Sequence, residues 1–178
     1  FDKARKILLN AKLRRTGICG ATESLLIDKK IAPKILPLIA HDLYTNGCEM
    51  RGDALSQKLD SRITKASKKD YATEYLDKII SIKIVKNVAD AIDHINKFGS
   101  SHTEAIISED ENAVQEFFKG VNSAIVMHNA STQFADGGEF GLGAEVGIST
   151  GKLHARGPVG LEQLVTYKYI VDANCALR

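Results

Sequence analysis

Residues Lys78–Met127 read KIISIKIVKNVADAIDHINKFGSSHTEAIISEDENAVQEFFKGVNSAIVM, and this stretch decides the fold class. Ile79, Ile80, Ile82, Ile84 and Val85 are dense enough for a strand buried on both faces, and Val88–Phe98 follows as a helix closed by Gly99. Ala105–Ile107 then reads as strand, Asp110–Lys119 as helix and Ser123–Met127 as strand. Strand and helix thus alternate roughly every 15 to 20 residues, the pattern of a parallel α/β protein.

The alternation extends toward the start of the chain. Ala4, Ile7, Leu8 and Ala11 share one helical face within Asp2–Arg15, and Thr16-Gly17 stops that helix. A Gly-flanked loop, Thr16–Thr22, leads to a short strand, Ser24–Asp28, and then to a helix from Ile31 to Tyr44 that ends at Asn46-Gly47. Lys58–Tyr71 is polar and basic and reads as a solvated surface loop. Gly137–Pro158 is Gly-rich with little periodicity, and loops of that length in a compact domain usually carry function.

The 24 Lys and Arg residues against 22 Asp and Glu give a net charge of +2, and 44% of residues are apolar. That balance fits a soluble globular chain and is too weak for a nucleic-acid footprint. No apolar run approaches the ~18 residues needed to cross a bilayer, and the first residues lack the pattern of a secretory signal. Cys19, Cys48 and Cys175 form no C-x-x-C pair, so a zinc framework is not expected and a reducing, cytoplasmic setting is. The histidines show no metal-binding spacing, and no G-x-S-x-G elbow is present. The run GLGAEVG at 141–147 imitates a dinucleotide fingerprint but lacks the strand-to-helix context that the fingerprint requires.

Cys19 is the candidate nucleophile. It follows Arg14 and Arg15 in RRTGICGATE, where cationic neighbours would lower a thiol pKa and the flanking glycines would let a ligand approach the backbone. A buried, inert role is the alternative, and it is the better reading for Cys48 and Cys175.

Four strings carry a resemblance: NAKLRRTGIC at 10–19, SHTEAII at 101–107, NASTQFADGGEFGLGAEVGIST at 129–150 and HARGP at 154–158. They resemble the gamma-glutamyl phosphate reductase (glutamate-5-semialdehyde dehydrogenase) family within the aldehyde dehydrogenase superfamily. The resemblance spans essentially the whole chain, with one departure at Gly20, where that family more often carries Asn.

The resemblance implies a three-layer α/β fold, an open and mostly parallel sheet flanked by helices. It implies that residues 1–178 are the thiol-bearing catalytic domain with its natural C-terminal tail, and that an N-terminal nucleotide-binding domain is absent from this chain. The activity implied is NADPH-dependent reduction of L-glutamyl 5-phosphate to L-glutamate 5-semialdehyde and phosphate through a cysteine thioester, the second step of proline synthesis. Cys19 would be the nucleophile. Glu74 would hold the nicotinamide ribose, and its bland alternative is an exposed carboxylate at a strand end. Asn129, Ser131 and Thr132, in a loop after a buried strand, would receive the glutamyl end together with Arg156. The resemblance further implies a homo-oligomer and an association with glutamate 5-kinase, with no metal, nucleic acid or membrane partner. Two other readings stay open: a non-catalytic folding or oligomerisation fragment, and a thiol acyltransferase without hydride transfer. Asn10 is a second oxyanion donor or a helix-capping residue. His102 and Asp136 are singled out by the resemblance alone and read as structural.

Overall fold

The computed structural model describes the chain from Phe1 to Arg178. Helix α1 (Asp2–Leu13), strand β1 (Ser24–Asp28), helix α2 (Ala32–Thr45), strand β2 (Glu49–Gly52), helix α3 (Ala54–Leu59), strand β3 (Thr64–Lys65) and strand β4 (Ile79–Val85) come first. The four strands form one parallel sheet in the order β1-β4-β2-β3, with Ser24 opposite Ser81 and Met50 opposite Ile80. Helix α4 (Val88–Phe98), strand β5 (Thr103–Ile106), helix α5 (Glu111–Gly120) and strand β6 (Ile125–His128) follow, and β5 and β6 pair in parallel as a second sheet. This is the expected α/β class, with the parallel strands divided between two sheets.

Helix α2 turns Ala32, Ile35, Leu36, Ile39, Ala40 and Leu43 to one side, and all six are buried. They pack on Ile80, Ile82 and Ile84, the alternate residues of β4, in the main core. The other β4 face carries Ser81 and Lys83. There the Lys83 ammonium lies 5.9 Å above the Tyr71 ring, and Tyr71 stacks edge-on to His94 at 5.0 Å. The central strand is therefore covered on both faces, as its dense apolar run requires. A smaller core joins α4 and α5 through Ile92, Phe117 and Val121.

Local chemistry sets the helix starts. Asn87 accepts from the Asp90 N–H, and Asp110 accepts from those of Asn112 and Ala113. Asp53 caps α3 through Ser56 and also accepts from the Ile84 N–H at 3.1 Å, tying that helix to the central strand.

Two polar stretches hold more order than their composition suggests. Lys58–Tyr71 contains the end of α3, the edge strand β3 and the start of a 3-10 turn at Asp70–Ala72. Asp70 in that turn accepts from Arg51, Tyr75 and Ser67, and these hydrogen bonds hold its carboxyl well below the usual carboxylate range. Gly137–Pro158 contains β7 (Gly147–Ser149), which pairs antiparallel with β8 (Gly157–Val159). No helix is long and apolar enough to cross a membrane.

Candidate active site

Cys19 lies exposed in the loop between α1 and β1. Two backbone bonds close that loop, from the Ala21 N–H to the Ile18 carbonyl and from the Thr22 N–H to the Ala11 carbonyl. A second segment clamps it from outside. After β6 the chain reverses at Asn129, which has a φ of 52°, and a 3-10 turn at Thr132–Phe134 comes up against the cysteine loop. The Thr132 hydroxyl donates to the Gly20 carbonyl at 2.6 Å and lies 2.9 Å from the Thr22 hydroxyl. The Gln133 amide donates to the carbonyls of Ala11 and Arg15. Gly20 sits so close beneath this turn that a Cβ there would come within 3.1 Å of the Thr132 carbonyl oxygen. The close approach gives a physical reason for glycine at this position.

The electrostatics of Cys19 differ from the expectation drawn from its neighbours in sequence. Burial pushes the thiol up, and the carboxylates of Glu145 and Glu74 push it further, against a downward pull from the backbone N–H groups of Cys19 and Gly20. The arginines do not offset this. Arg14 donates to the Gln133 side chain at 3.4 Å, the Arg15 carbonyl accepts from the same amide, and the Arg15 side chain is exposed. Adjacency in sequence placed both cations beside the loop, yet neither is among the charges that act on the sulfur.

Glu74 is exposed in the segment between the Asp70–Ala72 turn and β4, close enough to act on the thiol. Glu23 anchors the segment. One carboxylate oxygen of Glu23 accepts from the Leu76 N–H at 3.3 Å, and the other lies 2.6 Å from the Lys12 ammonium. The Lys12 side chain has no solvent exposure at all, so the ion pair is internal on that side. Burial raises the Glu23 carboxyl despite the ammonium beside it.

Glu145 escaped the sequence reading. It lies in the Gly-rich segment that follows the clamp, and its Oε2 accepts from the Gly137 N–H at 2.7 Å. A carboxylate within GLGAEVG offered a signal, but its approach to Cys19 depends on the fold of the loop. His102 lies at the start of β5. The same two carboxylates, Glu74 and Glu145, act on its ring against the effect of burial, which pushes it down.

The four residues expected at the glutamyl end take different places. Asn129 binds Ser108 with both ends of its amide, accepting from the backbone N–H at 3.1 Å and donating to the carbonyl at 3.0 Å. Thr132 spends its hydroxyl on the cysteine loop. Ser131 accepts at 3.3 Å from the Gln133 N–H and keeps its own O–H free to donate. Arg156 is not gathered with the other three. Its guanidinium donates to the Asn122 carbonyl at 3.0 Å, just before β6, whereas Asn129 to Thr132 follow the far end of that strand. Asn10 is exposed, and its carbonyl accepts from the Arg14 N–H as part of the helix end. No group of three or more His, Cys, Asp or Glu side chains could hold a metal ion, and Cys48 is buried in the main core.

Similarity to known proteins decides the lineage. The chain is 58% identical over 179 residues to gamma-glutamyl phosphate reductase of Paramagnetospirillum magneticum, a match covering 100% of the chain. The chain is homologous along its whole length to gamma-glutamyl phosphate reductase. The reductase of Parvibaculum lavamentivorans is 57% identical, again over 100% of the chain. The chain spans about 42% of the length of these two reductases. The crystal structure of the Thermotoga maritima gamma-glutamyl phosphate reductase superposes with a TM-score of 0.97 at 46% identity, covering 99% of this chain and 43% of that one. An acetylating aldehyde dehydrogenase from Geobacillus thermoglucosidasius shares the fold at 16% identity and a TM-score of 0.66. No protein-family model matches the chain.

Proposed function

We propose that this chain is the thiol-bearing catalytic part of a gamma-glutamyl phosphate reductase, acting in the NADPH-dependent reduction of L-glutamyl 5-phosphate to L-glutamate 5-semialdehyde. The observation that carries this reading is the position of Cys19. It is an exposed thiol on a loop held by the Thr132 hydroxyl, where the backbone N–H groups of Cys19 and Gly20 favour the thiolate and the charges of Glu145 and Glu74 oppose it.

The sulfur attacks the carbonyl carbon of the acyl phosphate, a carbon–sulfur bond forms, and the carbon–oxygen bond to the departing phosphate breaks. The N–H groups of Cys19 and Gly20 that favour the thiolate also suit the oxyanion developing beside it. Nicotinamide, when bound, supplies the hydride that turns the thioester into the aldehyde. The chain's own fit to that group is Glu74, whose exposed carboxylate acts on the thiol and would hold the ribose hydroxyls. Ser131 is the side chain assigned to the substrate's α-carboxylate, because its O–H is uncommitted. Asn129 and Thr132 fix the loop around Ser131 through Ser108 and Gly20, and Arg156 braces the start of β6.

The acyl-transfer half of the reaction needs no nicotinamide, so it can be tested on this chain with acetyl phosphate as the probe. A hydroxylamine-sensitive acetyl adduct on the Cys19 peptide, absent from the exposed Cys175, is the expected result. Labelling of both peptides at the same rate, or of neither, would sink the proposal.

A further inference from the structure

Helix α1 delivers the chain to Cys19, and its end lacks the usual stop. The last four carbonyls of a helix find no N–H within it, and a left-handed glycine commonly brings N–H groups back to them. Here the C-cap residue, Arg14, is still helical, with a φ of −57° and a ψ of −47°, and Gly17 is not among the glycines with positive φ. The Arg14 N–H serves the Asn10 carbonyl. The next partners come from outside the helix.

Gln133 supplies them from more than a hundred residues away. Its side-chain nitrogen donates to the Ala11 carbonyl at 2.9 Å and to the Arg15 carbonyl at 3.1 Å. Its oxygen accepts from the Arg14 guanidinium at 3.4 Å, so both N–H bonds and the carbonyl of the amide are engaged. The side chain belongs to a residue only 7% exposed, and its bond to Ala11 is buried. The Ala11 carbonyl also accepts from the Thr22 N–H at 3.0 Å, at the far end of the cysteine loop. One amide therefore holds the loop's entry at Arg15 and shares a carbonyl with its exit, with Cys19 between the two. The bonds of Thr132 to Gly20 and Thr22 hold the exit alone. An amide suits this place because one nitrogen carries two donors for two carbonyls, whereas a carboxylate would set lone pairs against both.

We infer that Gln133 is a positioning residue for Cys19: its buried amide caps helix α1 from the other side of the fold and so fixes the path of the loop that carries the thiol. The part it plays in catalysis rests on the reading of Cys19 as the acylated nucleophile. Gln133 acts through the loop backbone. Burial and the charges of Glu145 and Glu74 hold the proton on the sulfur, and the N–H groups of Cys19 and Gly20 favour the thiolate. Those peptide groups keep their direction only while both ends of the loop are held.

The test compares the chain with Gln133→Met, which keeps the reach of the side chain and removes its donors and acceptor. Ala11 keeps its bond from Thr22 in the variant, and Glu145 and Glu74 are common to both proteins. Iodoacetamide alkylation, quantified on the Cys19 peptide from pH 6 to 11, reads the thiol's ionisation from the midpoint and its access from the plateau. The midpoint should rise by about half to one pH unit, lowering the rate at pH 7 about three- to tenfold, with the plateau unchanged. Transfer from acetyl phosphate also needs the backbone N–H groups at the oxyanion, and it should fall further, by about a hundredfold, the effect of a displacement of about 1 Å. A lower melting temperature with an unmoved midpoint would make Gln133 purely structural and overturn the inference. If Gln133→Met does not fold, ¹⁵N NMR of the Gln133 side-chain amide in the unaltered chain replaces it: alkylation of Cys19 should shift both N–H signals, and unmoved signals would refute the link. An acetyl adduct at Cys19 with an unmoved midpoint in the variant retains the nucleophile and rejects Gln133. A raised midpoint in the variant, with no adduct in the unaltered chain, retains the hold of Gln133 on the thiol and rejects the reductase reading.

Discussion

Two buried groups in opposite protonation states should nearly cancel in the acid stability of this protein, and removing either should expose the other. Glu104 on β5 has one side-chain partner, Ser123, whose hydroxyl donates at 3.4 Å, and burial pushes its carboxyl from 4.5 up to about 7. His94 on α4 is 8% exposed, wedged between Tyr71 and Phe98 with ring centroids 5.0 and 4.7 Å away. Burial, helped by Lys83, pushes its ring from 6.5 down to about 4. The raised Glu104 contributes stability below pH 4.5 that is lost as pH rises to about 7. The depressed His94 contributes stability above pH 6.5 that is lost as pH falls to about 4.

At ~1.4 kcal/mol per pH unit, each contribution comes to ~3.5 kcal/mol at most, and Glu104, which keeps some solvent contact, falls nearer ~2. Between pH 4.5 and 6.5 the two slopes have opposite sign. Urea unfolding of the chain should therefore give a nearly flat pH profile over this window. Glu104→Gln, which keeps an acceptor for Ser123, should lose ~2 to 3 kcal/mol on acidification across the window. His94→Phe should instead gain ~2 kcal/mol. Asp42, Asp60 and Asp70, all held below the ordinary carboxylate range, titrate beneath the window, and Glu23 is common to all three proteins. Three parallel profiles would refute the reasoning.

Glu23→Gln leaves the Lys12 ammonium, which has no solvent exposure, without its carboxylate, and should destabilise the chain by ~3 to 5 kcal/mol in the same assay. A loss below ~1 kcal/mol would mean that the ammonium finds water. Thr132→Val removes the bonds to Gly20 and Thr22 and should cost ~1 to 2 kcal/mol, whereas Ser131→Ala should stay within ~0.5 kcal/mol, as measured by thermal unfolding. Equal losses in the two would show that Ser131 also braces the loop.

Much of the fold was legible because its signals are local. The five closely spaced apolar residues of Ile79–Val85 demanded a strand covered on both faces, and the structure supplies α2 on one face and Tyr71 with His94 on the other. Asn87 and Asp110 began their helices where short polar side chains do so. Lys58–Tyr71 reads as solvated because its order comes from partners distant in sequence, such as Arg51 for Asp70.

By itself, the sequence determined the main alternation of strands and helices, the Gly-flanked loop around Cys19 and the lineage, since helical spacing, strand runs and motif strings are properties of neighbouring residues. Only the tertiary structure decided the electrostatics of the thiol. Arg14 and Arg15 are adjacent in sequence, yet Gln133, more than a hundred residues away, binds one guanidinium, and the charges that act on the sulfur are those of Glu145 and Glu74 from two further segments. Thr132 and Asn129 likewise hold the loops together because chain reversal after β6 places them there. Coulomb energy depends on distance through space, and that distance is set only when the loops are packed.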